Sequence, residues 1–188
     1  MKNTMTTQDY SKQPVFESVT ERTLCFLLDN HRVLLGFKKK GQGASNYNGF
    51  GGKKENGESI RGTAIREIYE ESGLRVQKGD LAKMAILDFY FPNKREWDQT
   101  VHVYFARRWE GEPVETDEMR PEWFSIKNIP YDNMWDSDRR WLPLLLSGKR
   151  ITGIFTWADD NKTVKDYITH EVSETFLNNT DTIGYRHG

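Results

Sequence analysis

Apolar positions along this chain fall into runs whose spacing switches between strand-like and helix-like. TLCFLL and RVLLGF are short, nearly unbroken apolar runs on either side of DNHR, the pattern of a hairpin of largely buried strands. After them KKKGQGASNYNGFGGKKENGES reads as a long glycine-rich loop, and a loop of that length inside a domain usually has a function. From residue 60 the period lengthens. Ile60, Ala64, Ile65 and Ile68 form one helical stripe, with Ser59 as N-cap and Gly73 as C-terminal stop, which predicts a helix over 60–72. LAKMAILDFYF, QTVHVYFARRW and the shorter EWFSI read as strands. DSDRRWLPLLLSG reads as a second helix, with Pro143 either bending it or lying in its first turn. ITGIFTW and TVKDYITHEV close the pattern as a hairpin around DDNK. Residues 1–20 are polar and aperiodic, and a flexible arm is expected there, with a loosely held tail over 173–188. Mixed helices and hairpins predict one α/β (α+β) domain over 21–172 with a mixed sheet.

Composition narrows the choices. At 188 residues and 36% apolar content, the chain is long enough to bury a sizeable core. Twenty-seven Lys and Arg against 28 Asp and Glu leave a net charge of −1, which offers nothing to a nucleic acid polymer. No apolar run approaches the roughly 18 residues of a membrane span, and MKNTMTTQDYSKQP lacks the apolar stretch of a signal peptide. A monomeric, cytoplasmic protein without a membrane partner is expected. The single cysteine, Cys25, lies in an apolar run and reads as a buried structural thiol.

The chemistry concentrates in REIYEESG. Glu67, Glu70 and Glu71 stand at i, i+3 and i+4, so their like charges share one helix face and repel. A divalent cation removes that repulsion, and hard cations such as Mg²⁺, or Mn²⁺ in its place, select carboxylate oxygens. Glu67 and Glu71 can reach one ion, while Glu70 on the adjoining edge can bind a second ion or activate water. Arg66 is placed to pair with Glu58 and brace the loop against the helix. Gly51 and Gly52 let backbone approach where a Cβ would obstruct.

Read from Gly52, this stretch has Glu58 after five residues, then Arg66 and Glu67 after seven more, followed by Ile68, Glu70, Glu71, Gly73 and Leu74. It resembles the signature of the Nudix hydrolases at every specified position. From about Thr23 to Val172, further segments (RVLLGFKK, NGFGGK, PVETDEMRPEWF, IPYDNMW, WLPLLL) are similar to the MutT-type branch that clears oxidised purine nucleoside triphosphates. The resemblance implies an α/β/α Nudix sandwich that releases a nucleoside monophosphate and pyrophosphate. It also implies metal ligation by Glu67, Glu70, Glu71, the Gly51 carbonyl and Glu118, and polar pocket roles for Thr23 and Lys38.

The residues themselves suggest a purine pocket. Asn48 offers amide donors and an acceptor to a base edge, Trp135 can cover a base face, and Phe89 and Phe91 alternate so as to line one wall. Asp138 can accept the extra N7–H of 8-oxoguanine, or donate if held protonated. Each also has a plainer role: Trp135 and Phe89 in the core, Asn48 on loop backbone, Glu118 and Lys38–Lys40 on the surface, and His102 packing or hydrogen-bonding in its strand. In the branch resembled, two adjacent aspartates follow the pocket tryptophan and its proline. Here WDSDRRW has Asp136 for the proline and Ser137 for the first aspartate, while Gln42 and Gln99 replace an aromatic and a methionine. The chemistry is therefore expected to carry over, to 8-oxo-dGTP or 2-oxo-dATP as substrate. Methylated purine dNTPs, or a non-catalytic binding role, stand as alternatives.

Overall fold

The computed structural model describes residues 19–183, so the expected arm over 1–20 lies outside the described residues except for its last two. Among the described residues the chain forms eight strands and three α-helices. They are β1 (Thr20–Asp29), β2 (Arg32–Lys38), β3 (Tyr47–Asn48), α1 (Ile60–Ser72), β4 (Leu81–Tyr90), β5 (Gln99–Ala106), β6 (Met119–Ser125), α2 (Asp138–Leu146), β7 (Ile151–Trp157), β8 (Val164–Glu171) and α3 (Glu174–Ile183).

The sheet order is β3-β2-β1-β5-β4-β7-β8, with β6 along the other edge of β2. β1–β2, β4–β5 and β7–β8 pair antiparallel, whereas β1–β5 and β4–β7 are parallel. β1 is thus central and covered on both faces, which is why its sequence is a near-continuous apolar run. On one face Cys25, Leu27, Phe50 and Tyr104 receive Ala64 and Ile68 of α1. On the other, Phe26, Leu87, Val103 and Phe155 receive Trp141, Leu142 and Leu145 of α2. The expected mixed α/β/α sandwich is the observed architecture. Cys25 is fully buried, and burial pushes its thiol well above the ordinary range.

Local signals act where the sequence puts them. The Ser59 hydroxyl accepts from the Gly62 N–H at 3.1 Å, and Gly73, at φ 75°, donates to Tyr69 O at 2.8 Å. Pro143 lies inside α2, beyond its first turn. The glycine-rich loop is less free than expected. β3 forms within it, and Cys25–Phe50 and Arg22–Lys53 bridges stitch its second half to β1.

In the tail expected to be loose over 173–188, residues 174–183 are instead the docked helix α3, with Leu177 fully buried, and 184–188 lie outside the described residues. A bulge between Lys83 and Ala85 turns Lys83 toward α3, while Ala85 and Leu87 face α2. There the fully buried ammonium of Lys83 donates to Asp181 Oδ1 at 2.5 Å and Thr180 Oγ1 at 2.8 Å. Asp181 also takes Arg61 of α1 at 3.1 Å and the Tyr104 hydroxyl at 3.3 Å. Removing one partner of a buried pair strands the other charge. Asp181→Ala is therefore expected to lower stability by about 3 kcal/mol, read as a shift of the urea unfolding midpoint. An unchanged midpoint would mean that α3 does not hold Lys83.

Candidate active site

A cavity of about 460 Å³ opens between the start of β1, the ends of β4 and β5, the glycine-rich loop and the N-terminus of α2. Its size suits one small ligand. Thr23, Lys38, Asn48, Gly51, Gly52, Phe89, Phe91, Glu118, Trp135, Ser137 and Asp138 all line it, as do Gln42 and Gln99. Leu24, Leu87, Val101, Trp141, Trp157 and Arg22 line it too, and the sequence reading had not singled them out. Trp141 and Trp157 read as core from their runs. Only the β4–β7 pairing and the packing of α2 bring them to the cavity, and no local signal shows that.

The apolar wall is a stack of rings. Phe91 lies parallel to Trp157 at 5.1 Å between centroids, and Trp135 meets Trp157 edge-on at 5.4 Å. Gly43, at φ 83°, passes so close to Trp135 that a Cβ would lie 3.1 Å from its indole nitrogen, so the loop fixes that ring. The polar contribution is sparse. Asn48 Oδ1 accepts from Gly49 N–H at 3.0 Å, which leaves its amide nitrogen for a ligand acceptor. Asp138 is almost fully buried; its Oδ1 accepts from the Ser137 hydroxyl at 3.2 Å, and its Oδ2 has no partner among the described residues. Burial pushes this carboxyl up to about 7, against the pull of the Ser137 hydroxyl.

At the other end Gly51 and Gly52 separate the cavity from the carboxylates of α1. Glu71 is buried; its Oε2 accepts from Gly51 N–H at 2.8 Å and its Oε1 lies 3.5 Å from Lys38 Nζ. Burial pushes it up to about 7, against Lys38 and the Gly51 amide, and the charges of Glu67 and Glu118 add to the rise. Burial raises Glu67 as well. Arg66 braces this group from behind: Nε and Nη2 fork onto Glu58 at 2.7 and 3.1 Å, while Nη1 reaches Glu67 at 2.8 Å and Glu70 at 2.9 Å. The Arg66 guanidinium holds Glu58 down to about 2. Glu70 is more than half exposed and points to Arg66 rather than into the cavity. Glu118 stands at the rim beside Lys40, 3.5 Å away. His102 is buried 3.4 Å from Glu21, and its own burial keeps it below the usual range.

Gly51 and Gly52 are required here for a reason sharper than access to a ligand. A Cβ on Gly51 would fall 2.1 Å from Thr23 O, and one on Gly52 would fall 2.2 Å from Glu67 Oε1. The loop therefore touches both β1 and the Glu67 carboxylate of α1 directly.

Among the described residues no three Asp, Glu, His or Cys side chains form a ready-made cage, because Glu67, Glu70 and Glu71 are each engaged by protein donors. The donor set nonetheless fits a hard divalent cation. Its oxygens are carboxylate oxygens, and Glu67 and Glu71 carry a burden of burial and mutual repulsion that such a cation relieves.

The fold and the comparisons agree on a class of hydrolase. A NUDIX domain match covers residues 20–145, and the chain belongs to that family, whose hydrolases generally work with divalent metal ions. It is 48% identical over 133 residues to the oxidized purine nucleoside triphosphate hydrolase of Danio rerio, covering 71% of this chain and 83% of that one. With the Mus musculus protein of the same name it shares 43% over 150 residues, covering 80% and 94%. Its fold resembles that of a MutT protein from Bacillus halodurans, with TM-score 0.66 and 25% identity over 80% of this chain and 97% of that one. No helix among the described residues is long and apolar enough to cross a membrane.

Two outcomes are expected. Gly52→Ala should fold but push the Glu67 carboxylate aside, lowering kcat/KM by about a hundred-fold; steady-state kinetics with an unchanged melting curve would show it, and full activity would refute the contact. Asp138 keeps its proton in the fold up to about 7, whereas the unfolded chain loses it near the ordinary aspartate value. Through this group, stability is full at low pH and is lost as pH rises across that window. Asp138→Asn is therefore expected to gain stability relative to wild type between about pH 4 and about pH 8, read from urea midpoints. Parallel shifts in both proteins would show that Asp138 is not held neutral.

Proposed function

We propose that the chain hydrolyses oxidised purine nucleoside triphosphates, of the 8-oxo-dGTP and 2-oxo-dATP type, to the monophosphate and pyrophosphate. One observation carries the reading. A single cavity is lined by aromatic rings, by a buried, half-satisfied Asp138 and by Gly51 and Gly52, whose backbone lies directly against Glu71 and Glu67 of α1. An apolar wall with a polar reader beside a glycine floor backed by carboxylates is the polarity of a site for a base and its phosphates. The names of the zebrafish and mouse relatives support it.

In this reading Trp135 and the Phe89–Phe91 wall hold the base by its faces, and Asn48 and Asp138 read its edge. Because Asp138 sits near neutrality when buried, a donor on the base draws it toward the ionised form and an acceptor toward the protonated one. Lys38 and Lys40 attract the phosphates from the cavity rim. Glu67, Glu70, Glu71, the Gly51 carbonyl and Glu118 would hold Mg²⁺, or Mn²⁺ in its place. When bound, the ion would supply charge neutralisation and acidify the attacking water. Arg66 orients Glu67 and Glu70, and the partly exposed Glu70 carboxylate would be available as a proton acceptor.

A second reading rests on Ser137, Gln42 and Gln99, which all line the cavity. Three polar groups at the base end would suit a purine altered by methylation. The test is kcat/KM with Mg²⁺ for 8-oxo-dGTP, 2-oxo-dATP, N6-methyl-dATP, O6-methyl-dGTP and dGTP, with Glu71→Gln as control. An oxidised purine should lead dGTP by at least about tenfold, and Glu71→Gln should lose turnover while keeping its melting curve. A lead by a methylated purine favours the second reading, and no discrimination sinks both.

A further inference from the structure

Three cations line the cavity: Arg22, Lys38 and Lys40. Lys38 faces Glu71 and Lys40 faces Glu118, each at 3.5 Å. Arg22 differs, for no carboxylate among the described residues lies within ion-pair distance of it. Its Nε is buried and has no hydrogen-bond partner among those residues. A guanidinium is always charged, and one left half-buried without a partner costs free energy unless something anionic completes it.

Its position says which part of a ligand could do so. Arg22 forms an isolated bridge with Lys53, and the next residue, Thr23, donates its N–H to Gly52 O at 2.9 Å. Gly52 in turn lies against Glu67. The Glu67 charge is close enough to support the guanidinium, whose burial otherwise pulls it down. Arg22 therefore sits at the carboxylate end of the cavity, away from the Trp135–Asp138 end. It adds a positive charge to a place where Glu67 and Glu71 would otherwise repel a polyanion.

We propose that Arg22 is a substrate-binding residue that takes the polyphosphate chain, its planar fork pairing with non-bridging oxygens beside Glu67. The proposal rests on the reading of the cavity as a nucleoside triphosphate site, but it concerns the phosphates alone and is indifferent to the base. Among the described residues Arg22 makes no side-chain hydrogen bond or ion pair whose loss would unfold the protein, so Arg22→Gln is a clean probe.

The experiment is calorimetric titration of the Mg²⁺-loaded protein with inorganic tripolyphosphate and, separately, with the 8-oxo-deoxyguanosine nucleoside, beside KM and kcat for the triphosphate. Arg22→Gln should weaken tripolyphosphate binding and raise KM by about ten- to a hundred-fold. It should leave nucleoside binding and kcat nearly as they were. Arg22→Lys should restore part of the loss, since a point charge cannot reproduce the fork. Equal weakening of tripolyphosphate and nucleoside would make Arg22 a structural residue and overturn the proposal. So would a fall in kcat at constant KM, which would make it a counter-charge to Glu67. Because tripolyphosphate carries no base, a wild type that binds it yet discriminates no purine would defeat the substrate reading and leave the role of Arg22 measurable.

Discussion

The loop at Gly51–Gly52 lies against β1 on one side and the carboxylates of α1 on the other, with no room for a side chain at either contact. The rest of the site depends on that double contact. It brings the Gly51 amide to Glu71, which would otherwise be a buried carboxylate facing two others. It also carries the chain to Glu58, where Arg66 closes the arrangement from behind. Tight backbone packing and carboxylate clustering are thus one feature. The glycines shorten the distance, and the shortened distance provides the donors that make the cluster tolerable in the folded chain.

Burial raises two acids in the cavity to about the same value, yet with different chemical meanings. Glu71 has Lys38 and a backbone amide before it, which offset part of the cost of burying an anion, and a cation would relieve the rest. Asp138 accepts from the Ser137 hydroxyl and keeps one oxygen without a hydrogen-bond partner among the described residues. Its charge is therefore open to whatever group reaches that oxygen. The apolar rings around it keep water from settling the matter first.

Legibility in the sequence followed the range of the interactions. The helix from Ser59 to Gly73 could be read to its ends because both caps are local, and Arg66–Glu58 because only the N-cap and the first turns of α1 separate them. Phe89 and Phe91 could be placed on one wall by alternation alone. What stayed hidden is held by distant partners. β1 lies parallel to β5, some eighty positions along the chain, and this pairing brings Arg22 to a cavity whose other walls come from far downstream. The α3 helix escaped for the same reason. Its segment carries a weak apolar pattern, and its anchor is Asp181 on Lys83, a residue exposed to view only as one lysine in an otherwise apolar strand.

Cys25 lies beneath α1, sealed from solvent and kept in its thiol form. Oxidants attack the thiolate, and they must be able to reach it. The chain's one sulfhydryl meets neither condition, so peroxide has no cysteine in it to convert to a sulfenic acid or to join in a disulfide between molecules. Burial under α1 thus keeps the protein's own thiol chemistry silent under oxidising conditions.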